Sequence, residues 1–122
     1  MHAYSKVILP ILLLHVATSL IGAAPMGTAF NYQGYLTYKG NPANGPHDIT
    51  FELYNVPSGG VSLATVTHAP AYLNKGLLTT NIDFASFTFD GNAYWLQIGV
   101  RPFGSSNPYE VQTPRLQIRP VP

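Results

Sequence analysis

The chain has 122 residues, enough for one domain and a short appendage. Only 9% are charged, and 6 Lys and Arg stand against 5 Asp and Glu with no basic cluster. This argues against nucleic-acid binding, which needs cations to neutralise phosphates. Without cysteine there is no disulfide scaffold or zinc finger, and 46% hydrophobic residues speak against disorder.

Residues 1–29 differ from the rest and read as a cleavable export leader. Lys6 supplies a short positive start, and Val7 to Ile21 is a mostly apolar run interrupted by Pro10, His15, Thr18 and Ser19. A bilayer span takes about 20 apolar residues, so the run fits a signal-peptide core better than a membrane anchor. Gly22-Ala23-Ala24 is one cleavage candidate, but Pro25 follows it. Gly27-Thr28-Ala29 is the better one and leaves Phe30 as the new N-terminus. No cysteine follows the apolar core, so a lipid anchor is not expected. The mature domain, 30–122, is expected outside the cell or on its surface, with no membrane span.

From Phe30 onward, period-2 runs alternate with turn residues, and no helical spacing appears. Phe30, Tyr32, Leu36 and Tyr38 share one face of a first strand, with Gly34 as a bulge or close-approach point. Gly40 to Pro46 reads as a loop. Ile49, Phe51 and Leu53 alternate with Asp48, Thr50, Glu52 and Tyr54 in a half-buried strand, closed by Pro57-Ser58-Gly59-Gly60. Val61 to Thr67 is the next strand. Pro70 and the turn Asn74-Lys75-Gly76 follow it, with a short edge strand at Ala71 to Leu73. Leu78, Thr80, Ile82 and Phe84 share a face, and Asp90-Gly91 signals a tight turn. Tyr94, Leu96, Ile98 and Val100 make the cleanest alternation, with Trp95, Gln97, Gly99 and Arg101 opposite. A loop over 102–108 precedes strand-like Tyr109 to Gln112 and Leu116 to Arg119. Seven or eight strands predict an all-β, antiparallel two-sheet β-sandwich.

Phe30-Asn31-Tyr32-Gln33-Gly34-Tyr35-Leu36, Asp48-Ile49-Thr50-Phe51-Glu52-Leu53-Tyr54, Phe89-Asp90-Gly91, Trp95-Leu96-Gln97-Ile98-Gly99-Val100-Arg101-Pro102 and Pro120-Val121-Pro122 follow one another in this chain. In this order they resemble a recurrent β-sandwich module of secreted bacterial surface and tail-fibre-like proteins. The likeness runs over essentially all of 30–122. It implies a sandwich behind a signal peptide, often opening a longer surface protein, with no established catalytic residues. Gln97 stands where that family usually has an acidic residue, and Leu116 where it has Gln.

Metal or acid–base work would fall to His47, His68, Asp48, Asp83, Asp90 and Glu110, but no pair shows metal-site spacing. Neighbouring strand residues face opposite ways, which keeps His47 and Asp48 apart. Asp90-Gly91-Asn92 suits a turn better than a calcium loop. Ser58 or Ser62 with a histidine and an aspartate would make a triad only on paper, since no Gly-x-Ser-x-Gly is present. No cofactor, metal or enzymatic activity is expected. Trp95, with Gln97 and Arg101 on the same strand face, is the candidate binding surface. The competing reading has the C-terminal segment covering Trp95 or Arg101 stacking on it. Leu116 and Ile118, between Pro114 and Pro120, mark a candidate assembly edge. The leading expectation is a structural or adhesive module of an exported assembly, with protein partners or self-association. The alternative is a carbohydrate-binding module built around Trp95, with glycans as ligand.

Overall fold

A computed structural model describes residues 4–7, 29–85 and 87–118. Its strands in chain order are β1 (Tyr4–Val7), β2 (Ala29–Tyr38), β3 (Asn41–Pro42), β4 (Gly45–Tyr54), β5 (Ala64–Leu73), β6 (Leu77–Asp83), β7 (Tyr94–Pro102) and β8 (Glu110–Ile118). They form two antiparallel sheets, the expected all-β sandwich. In one sheet, β2 takes β6 and then β3 along one side and β1 along the other. The second runs β5-β4-β7-β8. β1 lies inside the segment expected to be a leader, so the expected boundary after Ala29 separates it from its sheet.

The inward alternation is as the spacing predicts. Phe30, Tyr32 and Leu36 from β2 and Leu78 and Ile82 from β6 face Ile49, Phe51 and Leu53 from β4 and Leu96, Ile98 and Val100 from β7. All are buried, each apolar side chain contributing about 1.5–3 kcal/mol. Gly34 is a close-approach point and not a bulge, because the β2–β6 register runs unbroken through Gly34 opposite Leu78. A Cβ at Gly34 would stand 2.8 Å from Cζ of Tyr32, whose ring covers the glycine.

Several local expectations need correcting. Tyr38 is exposed, not core, because β2 ends there as the chain turns through Lys39-Gly40. The stretch from Gly40 to Pro46 is not all loop: Asn41 and Pro42 fold back onto Thr37 and Tyr38, and Gly45 starts β4. The strand expected from Val61 begins at Ala64 and runs past Pro70 to Leu73. Between His68 and Ala71 it carries one extra residue opposite Asp48, and this bulge shifts the inward phase from Val66 and His68 to Ala71 and Leu73. The broken period is why one strand reads as two.

Asp90-Gly91 does not close a tight hairpin, because β6 and β7 lie in different sheets. The intervening 84–93 segment instead buries Phe84 and Phe89, with Phe87 half-buried, in a ring cluster with Phe30 and Tyr94. The two segments expected at the C-terminal end are one strand, β8, whose register against β7 breaks between Leu96 and Ile98.

Candidate functional site

β7 presents Trp95, Gln97, Gly99 and Arg101 on the outer face of its sheet, and the structure gives each a different fate. Arg101 Nε donates to Asp48 Oδ2 at 2.9 Å, and its Nη1 donates to the carbonyl of Asn107 at 3.0 Å. Its guanidinium lies 4.3 Å from the centroid of the Tyr109 ring. Gly99 allows this, since a Cβ there would meet Thr50 Cγ2 at 2.8 Å and Tyr109 Cβ at 3.0 Å. Arg101 thus clamps the loop between β7 and β8 and does not stack on Trp95. Asp48 is buried, with Oδ1 making no hydrogen bond among the described residues.

The opposite end carries a second clamp that the sequence reading missed. The register break in β8 aims Arg115 across β7, where Nε donates to Gln97 Oε1 at 3.1 Å. Nη1 donates to the carbonyls of Val56 at 3.0 Å and Gly59 at 2.8 Å, and the guanidinium sits 3.4 Å over Tyr54. Both arginines use a planar fork on a tyrosine face to fasten a loop, which lysine could not reproduce. Gln97 is therefore occupied by Arg115. Trp95 is half-buried between Tyr54 on β4 and Gln117 on β8. Trp95 and Arg101 lie roughly 20 Å apart along the strand, so the candidate trio forms no single compact site.

The remaining polar candidates are dispersed. His68 Nδ1 lies 3.0 Å from Thr80 Oγ1, a polar link between the sheets, and its ring packs edge-on against Phe51. His47 is buried with Nδ1 3.1 Å from the Gly45 carbonyl. Asp90 accepts from the Asn92 backbone N–H and from the Tyr94 hydroxyl, which together hold its carboxyl below the usual range. Asp83 is exposed at the end of β6. Ser62 Oγ is engaged with Ala64 and Thr65, and Ser58 lies exposed in a loop. Among the described residues no three His, Asp or Glu side chains gather to hold a metal. Burial pushes the Tyr32 phenol up to about 12 and also raises that of Tyr4, where Tyr38 and Glu110 add to the effect.

β8 pairs with β7 on one side only among the described strands, so it is the edge expected from its prolines. Of the two side chains expected to mark an assembly edge, Ile118 is fully buried and Leu116 packs against the core, while Val111 on the same strand is exposed. More exposed apolar groups lie elsewhere: Val61, 78% exposed, in the loop between β4 and β5, and two more at the Arg101 end of the same sheet. Tyr72 is 71% exposed opposite Pro46, and Phe103 is 52% exposed just beyond Pro102. No helix among the described residues is long and apolar enough to cross a membrane.

No curated protein and no solved structure matches the chain. Residues 31–115, from Asn31 near the start of β2 to the arginine stacked on Tyr54, match a family described as a domain of unknown function, DUF8740. The match takes in β3 to β7 whole, most of β2 and β8, and both arginine clamps, and on that extent the chain belongs to the DUF8740 family.

Proposed function

We propose that this chain is an exported, non-enzymatic structural or adhesive module of a bacterial surface or extracellular assembly. The observation that carries the reading is the use made of its chemistry-bearing side chains. Arg101, Arg115, Gln97, Asp48, His68 and Asp90 are all engaged in fastening loops and sheets. What remains presented is a set of exposed apolar side chains, Tyr72 and Phe103 at one end of the β5-β4-β7-β8 sheet and Val61 in the loop between β4 and β5, surfaces suited to protein contact. The apolar run over 7–21 and the likeness to secreted surface modules support the export half. Expression with the native N-terminus, fractionation and N-terminal sequencing test it, with a product starting at Phe30 expected. An intact Met1 on soluble, folded protein defeats the export half. Light scattering of the exported domain tests the other half: association weakened by Tyr72→Ser and Phe103→Ser supports it, and a monomer at all concentrations defeats it.

The second reading, a carbohydrate-binding module, rests on Trp95. It is half-buried beside Gln117, on a sheet face that also carries Thr50, Thr65 and Thr67. Calorimetric titration with oligosaccharides decides it, since binding lost in Trp95→Ala with an intact fold favours the glycan reading.

A further inference from the structure

Tyr4–Val7 lies antiparallel against Tyr35–Tyr38, with Tyr4 opposite Tyr38 and Val7 opposite Tyr35. β6 and β3 hold the other side of β2 here, so β1 occupies its remaining hydrogen-bonding edge. The contact goes beyond the ladder. The Tyr4 ring packs 4.9 Å from that of Tyr38 and edge-on to His47 at 5.6 Å, and the residue is only 6% exposed. Its backbone N–H donates to Glu110 Oε2 at 2.7 Å, reaching the other sheet, and Thr37 Oγ1 donates to the Ser5 carbonyl.

Two surface grooves of about 530 and 230 Å³ flank this ring, and Tyr4, Tyr38 and Pro102 line both. The shared lining makes them neighbouring halves of one region divided by the Tyr4 ring, with residues from Asn44 to Glu110 on its walls. Its ingredients are a strand edge, an aromatic socket and a carboxylate that takes a backbone N–H. Those fit an extended peptide carrying an aromatic anchor, the arrangement of strand addition. The chain itself supplies such a peptide from a segment that stands apart from the domain in composition.

We propose that the β2 edge at Tyr35–Tyr38, with the socket formed by Tyr38, His47 and Glu110, is an acceptor site for an extended, tyrosine-bearing peptide strand. Tyr4–Val7 is its built-in occupant, and a partner's strand replaces it when the N-terminal segment is displaced or removed. The proposal does not rest on export or adhesion; it requires only that β1 can leave.

The test uses the full chain with a site-specific protease sequence inserted after Ala24, folded intact and then cut. A fluorescent peptide reproducing residues 2–9 should bind the cut protein saturably. It should bind the uncut chain roughly tenfold more weakly, because a tethered strand competes at high effective concentration. The same peptide with Tyr4→Ala should also bind roughly tenfold more weakly, through loss of a buried aromatic anchor. Equal binding to cut and uncut chains, or indifference to the tyrosine, overturns the site. So does failure of a cut, natively folded protein to take up the peptide. Should cutting unfold the domain, amide exchange in the uncut chain decides. Ser5→Pro should speed exchange across Tyr35–Tyr38 and leave Phe51 and Ile98 protected, and unchanged exchange at Tyr35–Tyr38 overturns the proposal.

Discussion

Replacing Arg115 by alanine removes a clamp whose parts can be weighed separately. The stack on Tyr54, at 3.4 Å and partly desolvated, is worth about 1 kcal/mol. The bond to Gln97 adds about 0.5–1 kcal/mol, while the Val56 and Gly59 carbonyls, which regain water when released, account for about 0.5 kcal/mol each. The total is about 2.5–3 kcal/mol, a fall in melting temperature of about 10 °C for a domain of this size. Arg115→Lys keeps the charge but loses the fork and the flat stacking surface, so it should recover less than half. Thermal unfolding followed by near-UV circular dichroism measures the loss. Hydrogen exchange localises it: amides of the loop from Asn55 to Ser62 should open while Phe51 and Ile98 stay protected. A variant melting within about 2 °C of the parent, with unchanged loop exchange, would mean that sheet packing alone fixes the loop and that the clamp is idle.

Burial raises the Tyr32 phenol to about 12, so the folded state holds this proton more tightly than the unfolded chain does. That stability is intact below pH 10 and is lost as pH rises from 10 through 12, by about 3 kcal/mol. Tyr32→Phe should be nearly neutral at pH 7 and should flatten this alkaline limb in a pH series of chemical denaturations. Gly34→Ala forces the Tyr32 ring off its neighbour and should cost about 1–2 kcal/mol, with a less than additive effect when combined with Tyr32→Ala. Arg101→Ala strands the buried Asp48 carboxylate and should cost about 3 kcal/mol, against about 1 kcal/mol for Asp48→Asn in the same denaturation assay. Asp90, held below the usual carboxylate range by the Asn92 N–H and the Tyr94 hydroxyl, contributes stability that is present above that range and lost as pH falls through its lowered value. Asp90→Asn should therefore soften the acid limb of the stability profile.

Much of the scaffold is legible in the sequence because burial is periodic. Ile49, Phe51 and Leu53, like Leu96, Ile98 and Val100, need only alternate to declare which face is core. The reading fails where a register break interrupts the period. At Pro70 one extra residue moves the inward phase by one position, and at Pro114 the break makes β8 look like two segments. It fails again for long side chains. Gln97 and Arg101 do lie on the face that alternation assigns them. No spacing rule says that Arg115, eighteen residues from Gln97, will reach it, or that Tyr109 will lie over Gly99. The aromatic cluster of Phe84, Phe87 and Phe89 escapes for a related reason, since it sits in a connection between sheets where neither period applies.

These breaks also bear on how the domain could meet a neighbour. Both flanking strands of the four-stranded β5-β4-β7-β8 sheet carry a proline at the point where their ladder is already irregular, Pro70 in β5 and Pro114 in β8. A proline offers no N–H to an incoming strand, and a bulge twists an edge away from flat pairing. The edge around Leu116 and Ile118 is thus poorly built for extending the sheet, and both of its apolar side chains are spent on the core. The β2 edge is different. From Tyr35 to Tyr38 it has no proline and no register break, and it already holds a strand in continuous register. The β2 edge is therefore the one better built for backbone pairing, while Tyr72 and Phe103 stand exposed at one end of the other sheet. The two surfaces adjoin, because Pro46, opposite Tyr72, and Pro102, next to Phe103, both line the groove beside the Tyr4 ring.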